Sequence, residues 1–319
     1  MSTQPKFYDL ASLTKPLITA VLAHAYLDLD ADRRWQLDFY DREKPLTVRQ
    51  LLSHSAGLPP WLPSTDEPLA TQLRRTPLPG NHSLLKTAEI GVSTYSDLGY
   101  RLIAELVEME LLLPWKQLGA AASGLSPAPW NEAPTPVPPG QDSAAWAIAE
   151  PNLAYPEPDS HLPHDANARV GMAGHAGFGA TRGQLETSLE KWMAARWPDR
   201  MAVETAHTED GEIWGLGLQR ATAPYADMLA RIPLGATGTH VEEAPSNLLS
   251  EPIPSTEMPT PTAFWQHLAY TGPALFVRLE DRCCIALLCH RAGPAGELLS
   301  LDQLRARRRQ MLQSMLDAR

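Results

Sequence analysis

Two apolar segments near the C-terminus constrain the fold more than any other feature of the sequence. They cover residues 274–279 and 282–289 and are separated only by Glu280 and Asp281. Apolar runs joined by such a short polar pair predict a β-hairpin. A third run at 213–218 predicts another strand, so we expect an antiparallel sheet in the second half of the chain.

Helical periodicity dominates the first half of the chain and returns at its end. Apolar residues recur at helical spacing in five segments, at 12–27, 46–57, 97–113, 182–197 and 301–316. Helices in one half and strands in the other predict an α+β fold, an antiparallel β-sheet flanked by helices. We expect one domain over 1–319, with a helical or irregular insertion at about 28–200, the sheet mainly at 210–295 and a C-terminal helix at 300–319.

A proline- and alanine-rich stretch at 119–163 has no periodicity. A loop of this length is usually a functional lid or disordered, and the sequence leaves both alternatives open. His161 and His164 lie near its end beside Asp165, but their spacing is loose and no cysteine joins them. We therefore expect no metal and no other cofactor.

The charge and the cysteines exclude several classes of protein. The formal net charge is −10, whereas a nucleic-acid-binding protein usually presents a basic face. The one basic run, Arg305–Arg309, falls in the predicted C-terminal helix, where we expect a solvated face. Cys283, Cys284 and Cys289 fall in one apolar run, so we expect them to be buried and not to form disulfides.

The sequence contains no recognisable signal peptide or membrane span. Its N-terminal segment has no apolar core, and no apolar run approaches the roughly 20 residues that span a bilayer. As written, the sequence predicts a cytoplasmic protein. A periplasmic location would follow if the N-terminus given is truncated.

Ser12 and Lys15 form a candidate nucleophile and base. They lie three residues apart at the start of a predicted helix, which puts both side chains on one face. A serine hydroxyl needs a neighbouring base, and a lysine can serve when burial and nearby positive charge hold it neutral. The pattern Ser-x-x-Lys is weak on its own, because a helix cap and a surface lysine give the same spacing.

The Ser-x-x-Lys pattern lies in the first of six segments that support a catalytic interpretation by their order along the chain. They are Phe7–Pro16, Leu46–Leu58, Tyr95–Tyr100, His164–Phe178, Trp214–Gly217 and Tyr270–Gly272. Together they resemble the landmarks of class C-type serine β-lactamases and their relatives, which include penicillin-binding proteins, esterases and D-amino peptidases. The resemblance spans residues 7–293 and implies a β-lactamase/transpeptidase-like fold.

The resemblance implies a role for each landmark. Ser12 would attack an acyl carbonyl and form an acyl-enzyme, while Lys15 and the Tyr95 phenol would share the proton transfers. Ser96 is interpreted as the N-cap of the helix that follows. The triplet Tyr270-Thr271-Gly272 would lie on the strand beside the nucleophile, where the carboxylate or amide backbone of a ligand docks.

Two departures from the family fall at substrate-binding positions. Asp97 stands where the family usually has asparagine. An ionised carboxylate only accepts hydrogen bonds, so Asp97 would either repel a substrate carboxylate or pair with Lys15 and keep it protonated. Tyr270 replaces the usual lysine or histidine, and Pro273 follows the triplet where the family uses a backbone N–H as its second oxyanion donor. Loss of one such donor typically costs about 10²–10³ in rate, unless the alignment is shifted by one residue.

A third departure is the position of Ser12, which has only eleven residues before it. Family members usually carry a helix and two strands before the nucleophile. Without these strands the sheet would have an open edge, which invites pairing with another chain. We therefore expect a homodimer, a rearranged N-terminal region or a shortened sequence.

Two hypotheses about function follow. The first is a serine acyl hydrolase with impaired or unusual activity, acting on a β-lactam, a D-amino peptide or a small ester or amide. The second is a catalytically inactive member of the fold that serves as a binding or interaction module. The retained Ser12, Lys15 and Tyr95 favour the first hypothesis, and the departures favour the second.

Overall fold

The computed structural model describes residues 6–33, 45–60, 62, 91–129, 163, 165, 168, 173–222, 225–244, 264–291 and 299–318. The helices in these residues are α1 (Ala20–Tyr26), α2 (Val48–Leu52), α3 (Asp97–Leu111), α4 (Trp115–Ser123), α5 (Arg182–Ala194), α6 (Trp197–Met201), α7 (Ala226–Ala230) and α8 (Leu301–Asp317). A 3₁₀ turn at Ala11–Leu13 and a π-helical turn at Lys15–Thr19 lead into α1. In the described part of the chain, no helix has the length and apolarity needed to cross a membrane.

The strands form two sheets. They are β1 (Phe7–Asp9), β2 (Ser126–Pro127), β3 (Phe178–Thr181), β4 (Ala206–His207), β5 (Ile213–Trp214), β6 (Gln219–Arg220), β7 (Gly238–Glu243), β8 (Phe264–Leu268), β9 (Ala274–Arg278) and β10 (Cys283–Leu288). The main sheet has seven strands in the order β4-β5-β6-β8-β9-β10-β7, and a small sheet has the order β1-β3-β2. The predicted α+β class, the β9–β10 hairpin and the C-terminal helix are confirmed.

The hairpin alternates between two hydrophobic clusters, one on each face of the main sheet. Leu275 and Val277 lie in the larger cluster with α1, α2 and α3. Ala274 and Phe276 face the second cluster, which contains the apolar side of α8. Because successive residues of a strand point to opposite faces, a strand covered by helices on both sides is apolar throughout. The same alternation directs Cys283 and Cys284 to opposite faces, and both are free thiols.

The strand β7 covers the side of β10 that faces away from β9. It pairs with β10 in parallel, from Gly238 opposite Cys283 to Glu243 opposite Leu288. The main sheet is therefore mixed and not wholly antiparallel as predicted. In the described residues β1 belongs to the small sheet, and β7 is the last strand of the main sheet on this side. The homodimer remains a prediction.

The basic run at the C-terminus is buried, which corrects the prediction of a solvated face. Arg307, Arg308 and Arg309 are 5%, 3% and 6% exposed. Arg308 donates to the carbonyl oxygens of Ala269, Gly272 and Pro273 in the turn between β8 and β9. Arg309 forms a two-pronged ion pair with Asp227, and Arg307 donates to the carbonyl of His290. These arginines attach α8 to the sheet, a role that requires partners distant in sequence.

Two other predicted elements differ from the structure because of local backbone constraints. The predicted strand at 213–218 is a tight hairpin, since β5 ends at Trp214 and the chain turns through Gly215 and Gly217. A Cβ at Gly215 would lie 2.2 Å from the carbonyl oxygen of Met201, which explains the glycine. The predicted helix 46–57 ends at Leu52, although its expected N-cap, Thr47, forms a capping box with Gln50.

We predict that Arg308→Leu destabilises the protein by about 3 kcal/mol, because it leaves carbonyl groups of the β8–β9 turn buried without donors. Urea unfolding followed by tryptophan fluorescence measures the loss. Arg305→Leu on the same helix is the matched control. Arg305 is half exposed and pairs only with the exposed Asp302, so we expect a change within about 0.5 kcal/mol. Equal losses in both variants would contradict the assigned role of Arg308.

Candidate active site

The backbone around Ser12 brings its hydroxyl next to the Lys15 ammonium. Ala11, immediately before Ser12, has a φ of +47°, a conformation that costs energy in a residue with a Cβ. The 3₁₀ turn and the π-helical turn that follow place Lys15 on the same side as Ser12, and Nζ donates to Ser12 Oγ at 3.0 Å. Ser12 is partly exposed, whereas Lys15 is fully buried. A partly exposed hydroxyl is therefore in contact with a buried amine.

The amine of Lys15 has three oxygen neighbours besides the Tyr95 phenol. Nζ donates to the carbonyl of His175 at 3.1 Å and to Ser12 Oγ. It also forms an ion pair with Asp97 Oδ1 at 2.7 Å. Burial alone would lower the pKa of Lys15, but the charge of Asp97 and the contact with Tyr95 outweigh it, and its pKa is raised. Asp97 was expected either to repel a substrate carboxylate or to pair with Lys15, and the structure shows the ion pair with Lys15.

The Tyr95 phenol completes the group around the nucleophile. It lies beside both Ser12 and Lys15, and the Lys15 amine is 4.9 Å from the centroid of the Tyr95 ring. Burial raises the pKa of Tyr95 despite the adjacent ammonium, so the phenol keeps its proton at neutral pH. The structure thus brings together four predicted site residues, Ser12, Lys15, Tyr95 and Asp97.

His54 and Trp214, from two other landmarks, pack around Tyr95. The His54 ring lies 4.5 Å from the ring of Tyr95 and 4.6 Å from that of Trp214. Nδ1 of His54 accepts the backbone N–H of Ser96. Burial and the charge of Lys15 hold the pKa of His54 well below its usual range. The predicted side-chain cap at Ser96 is not formed, because its hydroxyl donates to the carbonyl of Pro59. Both bonds fix the loop that carries Tyr95.

His267 is a site residue that the sequence analysis missed. It lies on β8, the strand that packs against the 3₁₀ turn of the nucleophile. Its Nδ1 lies 3.2 Å from the carbonyl oxygen of Gly217, and its ring faces Tyr95 and Trp214. Burial and the charge of Lys15 lower the pKa of His267 to about 3. The sequence contained a signal for it. A lysine or histidine usually begins the family's binding triplet, and His267 lies only three residues before Tyr270.

The predicted triplet Tyr270-Thr271-Gly272 lies in the turn after β8 and not on the strand itself. Gly272 has a φ of +142° and packs against the backbone of Cys289, so no larger residue fits there. Pro273 accepts the N–H of Ala269 across the turn. Tyr270 lines a cavity of about 220 Å³ with Tyr95, Leu268, Ala269, Leu301, Leu304, Arg305 and Arg308.

A second polar cluster lies behind Lys15. Asp97, Asp165 and His175 offer ligand atoms within 4.8 Å of one another, and His175 Nε2 lies 3.1 Å from Asp165 Oδ2. Lys15 is paired with Asp97, and the buried Arg101 interacts with both carboxylates. Two fixed cations beside these carboxylates oppose the binding of a divalent metal ion. His161 and His164 lie outside the described residues.

Comparison with known families identifies the chain. The family model described as Beta-lactamase matches residues 3–310. The chain belongs to the β-lactamase family. A search of curated proteins finds no match for this family member. The predicted resemblance is therefore confirmed at the level of the family.

Solved structures of other members share the fold of this β-lactamase-family chain. The class C β-lactamase from Rhodobacter sphaeroides aligns with a TM-score of 0.58 at 15% identity, over 98% of this chain and 86% of that one. The D-amino acid amidase from Ochrobactrum anthropi SV3, complexed with L-phenylalanine amide, aligns with a TM-score of 0.57 at 15% identity, over 99% and 85%. SurE with D-Leu aligns with a TM-score of 0.49 at 20% identity, over 88% of this chain. The chain spans only 58% of that structure.

We predict that Asp97→Asn lowers the pKa of Lys15, because the buried amine loses the carboxylate that favours its charged form. A titration of ε-¹³C-labelled lysine by NMR measures the change, with Lys15→Arg identifying the signal. An unchanged or raised pKa would contradict the assigned ion pair. Since the folded-state pKa of Lys15 is raised, the stability that the pair contributes is present at neutral pH. It is lost as the pH rises through that pKa.

Proposed function

We propose that this protein is a serine acyl hydrolase that acts through an acyl-enzyme on Ser12. The observation that carries the proposal is the hydrogen bond from Lys15 Nζ to Ser12 Oγ at 3.0 Å, with the Tyr95 phenol beside both groups. A nucleophile, a base and a proton donor within hydrogen-bond reach are the parts that acyl transfer needs. The substrate class is a small ester or amide, a D-amino peptide or a β-lactam.

The proposed proton path uses the neutral form of Lys15. When Lys15 has lost a proton, its amine accepts the proton of the Ser12 hydroxyl as Oγ bonds to the acyl carbon. The Tyr95 phenol donates its proton to the leaving group and regains one from Lys15. Water then attacks the acyl carbon by the reverse route and releases Ser12.

The carbonyl oxygen of the substrate needs two donors as it gains negative charge. The Ser12 N–H is one, since Ser12 makes no other backbone donation within the described residues. We assign the second to the Tyr270 N–H, because Tyr270 follows His267 at the distance at which the family's donor follows its basic residue. The loss of a donor inferred at Pro273 then does not apply.

The inactive binding module is a second candidate, and one observation favours it. The ion pair with Asp97 at 2.7 Å keeps Lys15 in its charged form, which cannot accept a proton. If Lys15 never loses its proton during a reaction, Ser12 remains a poor nucleophile and only binding is left. The two candidates differ in whether Ser12 reacts.

We expect a fluorophosphonate to form a stoichiometric adduct on Ser12, detected by intact-protein mass spectrometry and peptide mapping. Ser12→Ala should form none, and Lys15→Met should slow the reaction by at least about 10²-fold because the base is missing. A folded protein that forms no adduct at any pH up to 9 would support the binding module instead.

We also predict that Asp97→Asn moves the rise of kcat/KM for a neutral p-nitrophenyl ester to lower pH. The reason is that Lys15 becomes neutral, and therefore basic, at lower pH when its counter-charge is removed. A pH–rate profile of both proteins measures the shift. An unchanged profile would show that Lys15 is not the group whose ionisation limits acylation.

A further inference from the structure

The turn that follows α2 is hydrogen-bonded to the segment that carries Tyr95. The Ser93 hydroxyl donates to the carbonyl of Ser53 at 2.8 Å, and the Gly91 N–H donates to the carbonyl of Ser55 at 3.1 Å. This turn belongs to the second of the six landmarks, and the proposed proton path gives it no role. Its contacts nevertheless converge on the residue that donates the proton to the leaving group.

His54, the middle residue of this turn, binds the backbone on both sides of Tyr95. Its carbonyl accepts the N–H of Thr94 at 2.9 Å, and its Nδ1 accepts the N–H of Ser96 at 3.1 Å. Its ring also lies 4.5 Å from the ring of Tyr95, measured between the two centroids. A single residue therefore contacts the residue before Tyr95, the residue after it and the aromatic ring itself.

Both hydrogen bonds depend on an unusual backbone conformation at His54. Its φ is +57°, in the left-handed region, where most residues with a Cβ are strained. Histidine and asparagine occupy this region more readily than most other residues. His54 is only 3% exposed, and its ring is enclosed by those of Tyr95, Tyr100 and Trp214. A strained residue persists where its surroundings fix it, and such residues cluster at active sites.

The imidazole of His54 acts on this loop as a neutral acceptor. Nδ1 accepts a hydrogen bond only when it carries no proton, so the ring proton lies on Nε2. Burial and the charge of Lys15 hold the pKa of His54 well below its usual range, so the ring is neutral at pH 7. Within the described residues Nε2 has no hydrogen-bond partner. The hydrogen bond that the ring contributes is therefore the one that Nδ1 accepts.

We propose that His54 is a positioning residue for the proton transfer by Tyr95, holding the phenol where it protonates the leaving group. This inference rests on the proposed function and adds to it a residue that takes no part in the bond changes. Misplacing a reacting group by about 1 Å can cost about 10²-fold in rate. The loss should be confined to substrates whose leaving group needs the proton of Tyr95, whereas a residue that only stabilised the fold would not distinguish between leaving groups.

The test separates the acceptor at Nδ1 from the backbone conformation. His54→Gly adopts a positive φ without strain but has no acceptor for the Ser96 N–H. His54→Asn also favours this conformation, and its side-chain oxygen can accept the hydrogen bond in place of Nδ1. The two substrates are ethyl butyrate and p-nitrophenyl butyrate, which share one acyl group. Ethoxide leaves only when Tyr95 protonates it, whereas p-nitrophenolate leaves without a proton.

We expect His54→Gly to lower kcat/KM for ethyl butyrate by at least about tenfold and to change that for p-nitrophenyl butyrate by less than about threefold. His54→Asn should bring the ethyl ester to within about threefold of the unchanged protein. Equal losses with both esters would overturn the inference, as would a loss in His54→Asn as large as that in His54→Gly. If His54→Gly does not fold, the ratio of the two rates in His54→Asn decides. A ratio equal to that of the unchanged protein supports the inference, and an altered ratio overturns it.

Two controls distinguish positioning from a general effect on the fold. Leu112→Gly changes another left-handed position, with a φ of +54° and 87% exposure, and should alter neither rate. In Tyr95→Phe, which has no phenol proton to donate, adding His54→Gly should cause no further loss with ethyl butyrate, because the two residues act as one unit. A further loss of about tenfold in the double variant would contradict the assigned role.

A spectroscopic measurement keeps this inference separate from the proposed function. Protein labelled with 3-fluorotyrosine gives a ¹⁹F NMR signal for Tyr95, which is identified by its absence in Tyr95→Phe. We expect His54→Gly to shift or broaden this signal and His54→Asn to leave it as in the unchanged protein. A signal that His54→Gly leaves unchanged would overturn the inference, whether or not either ester is cleaved. Failure of the fluorophosphonate to label Ser12 would contradict the hydrolase alone, because the placement of the phenol does not require a reactive serine.

Discussion

The buried ammonium of Lys15 is the charge around which the candidate site is organised. An ammonium removed from water costs several kcal/mol unless it is paired and its three donors are satisfied. Ser12, His175 and Asp97 supply oxygens at 3.0, 3.1 and 2.7 Å. These residues come from three distant parts of the chain, so their mutual placement fixes how the nucleophile turn, the start of α3 and the glycine-rich segment before β3 meet.

The ion pair between Lys15 and Asp97 has opposite effects on the stability of the fold and on the basicity of Lys15. A carboxylate at position 97 stabilises the buried charge, which favours folding, but it disfavours the neutral amine that the proposed acylation of Ser12 uses. An asparagine there would stabilise the ammonium less, so Lys15 would lose its proton more easily. The ion pair therefore stabilises the fold while it keeps Lys15 protonated in the resting protein.

Local patterns in the sequence were sufficient for elements that depend on their own residues. The β9–β10 hairpin, the Thr47 cap and helix α8 follow from alternation, capping chemistry and helical period. The buried arginines of α8 could not be predicted, because the carbonyl groups that hold Arg308 belong to a turn distant in sequence. His267 was missed for a similar reason. The sequence alone favoured the triplet that begins at Tyr270, whereas the structure shows that β8 ends at Leu268 and that His267 is the residue on the strand. The pairing of β7 was missed because two strands, β8 and β9, lie between it and its neighbour β10 in the chain.

The parallel pairing of β7 with β10 bears on the order of folding. β9 and β10 are joined by a few residues and close a small loop, whereas the pairing of β7 with β10 closes a much longer one. Until then the apolar strand β10 has unpaired N–H and C=O groups along one side. We expect that partly folded chains are joined through this strand when they aggregate, and that the rate at which β7 docks limits the yield of refolding.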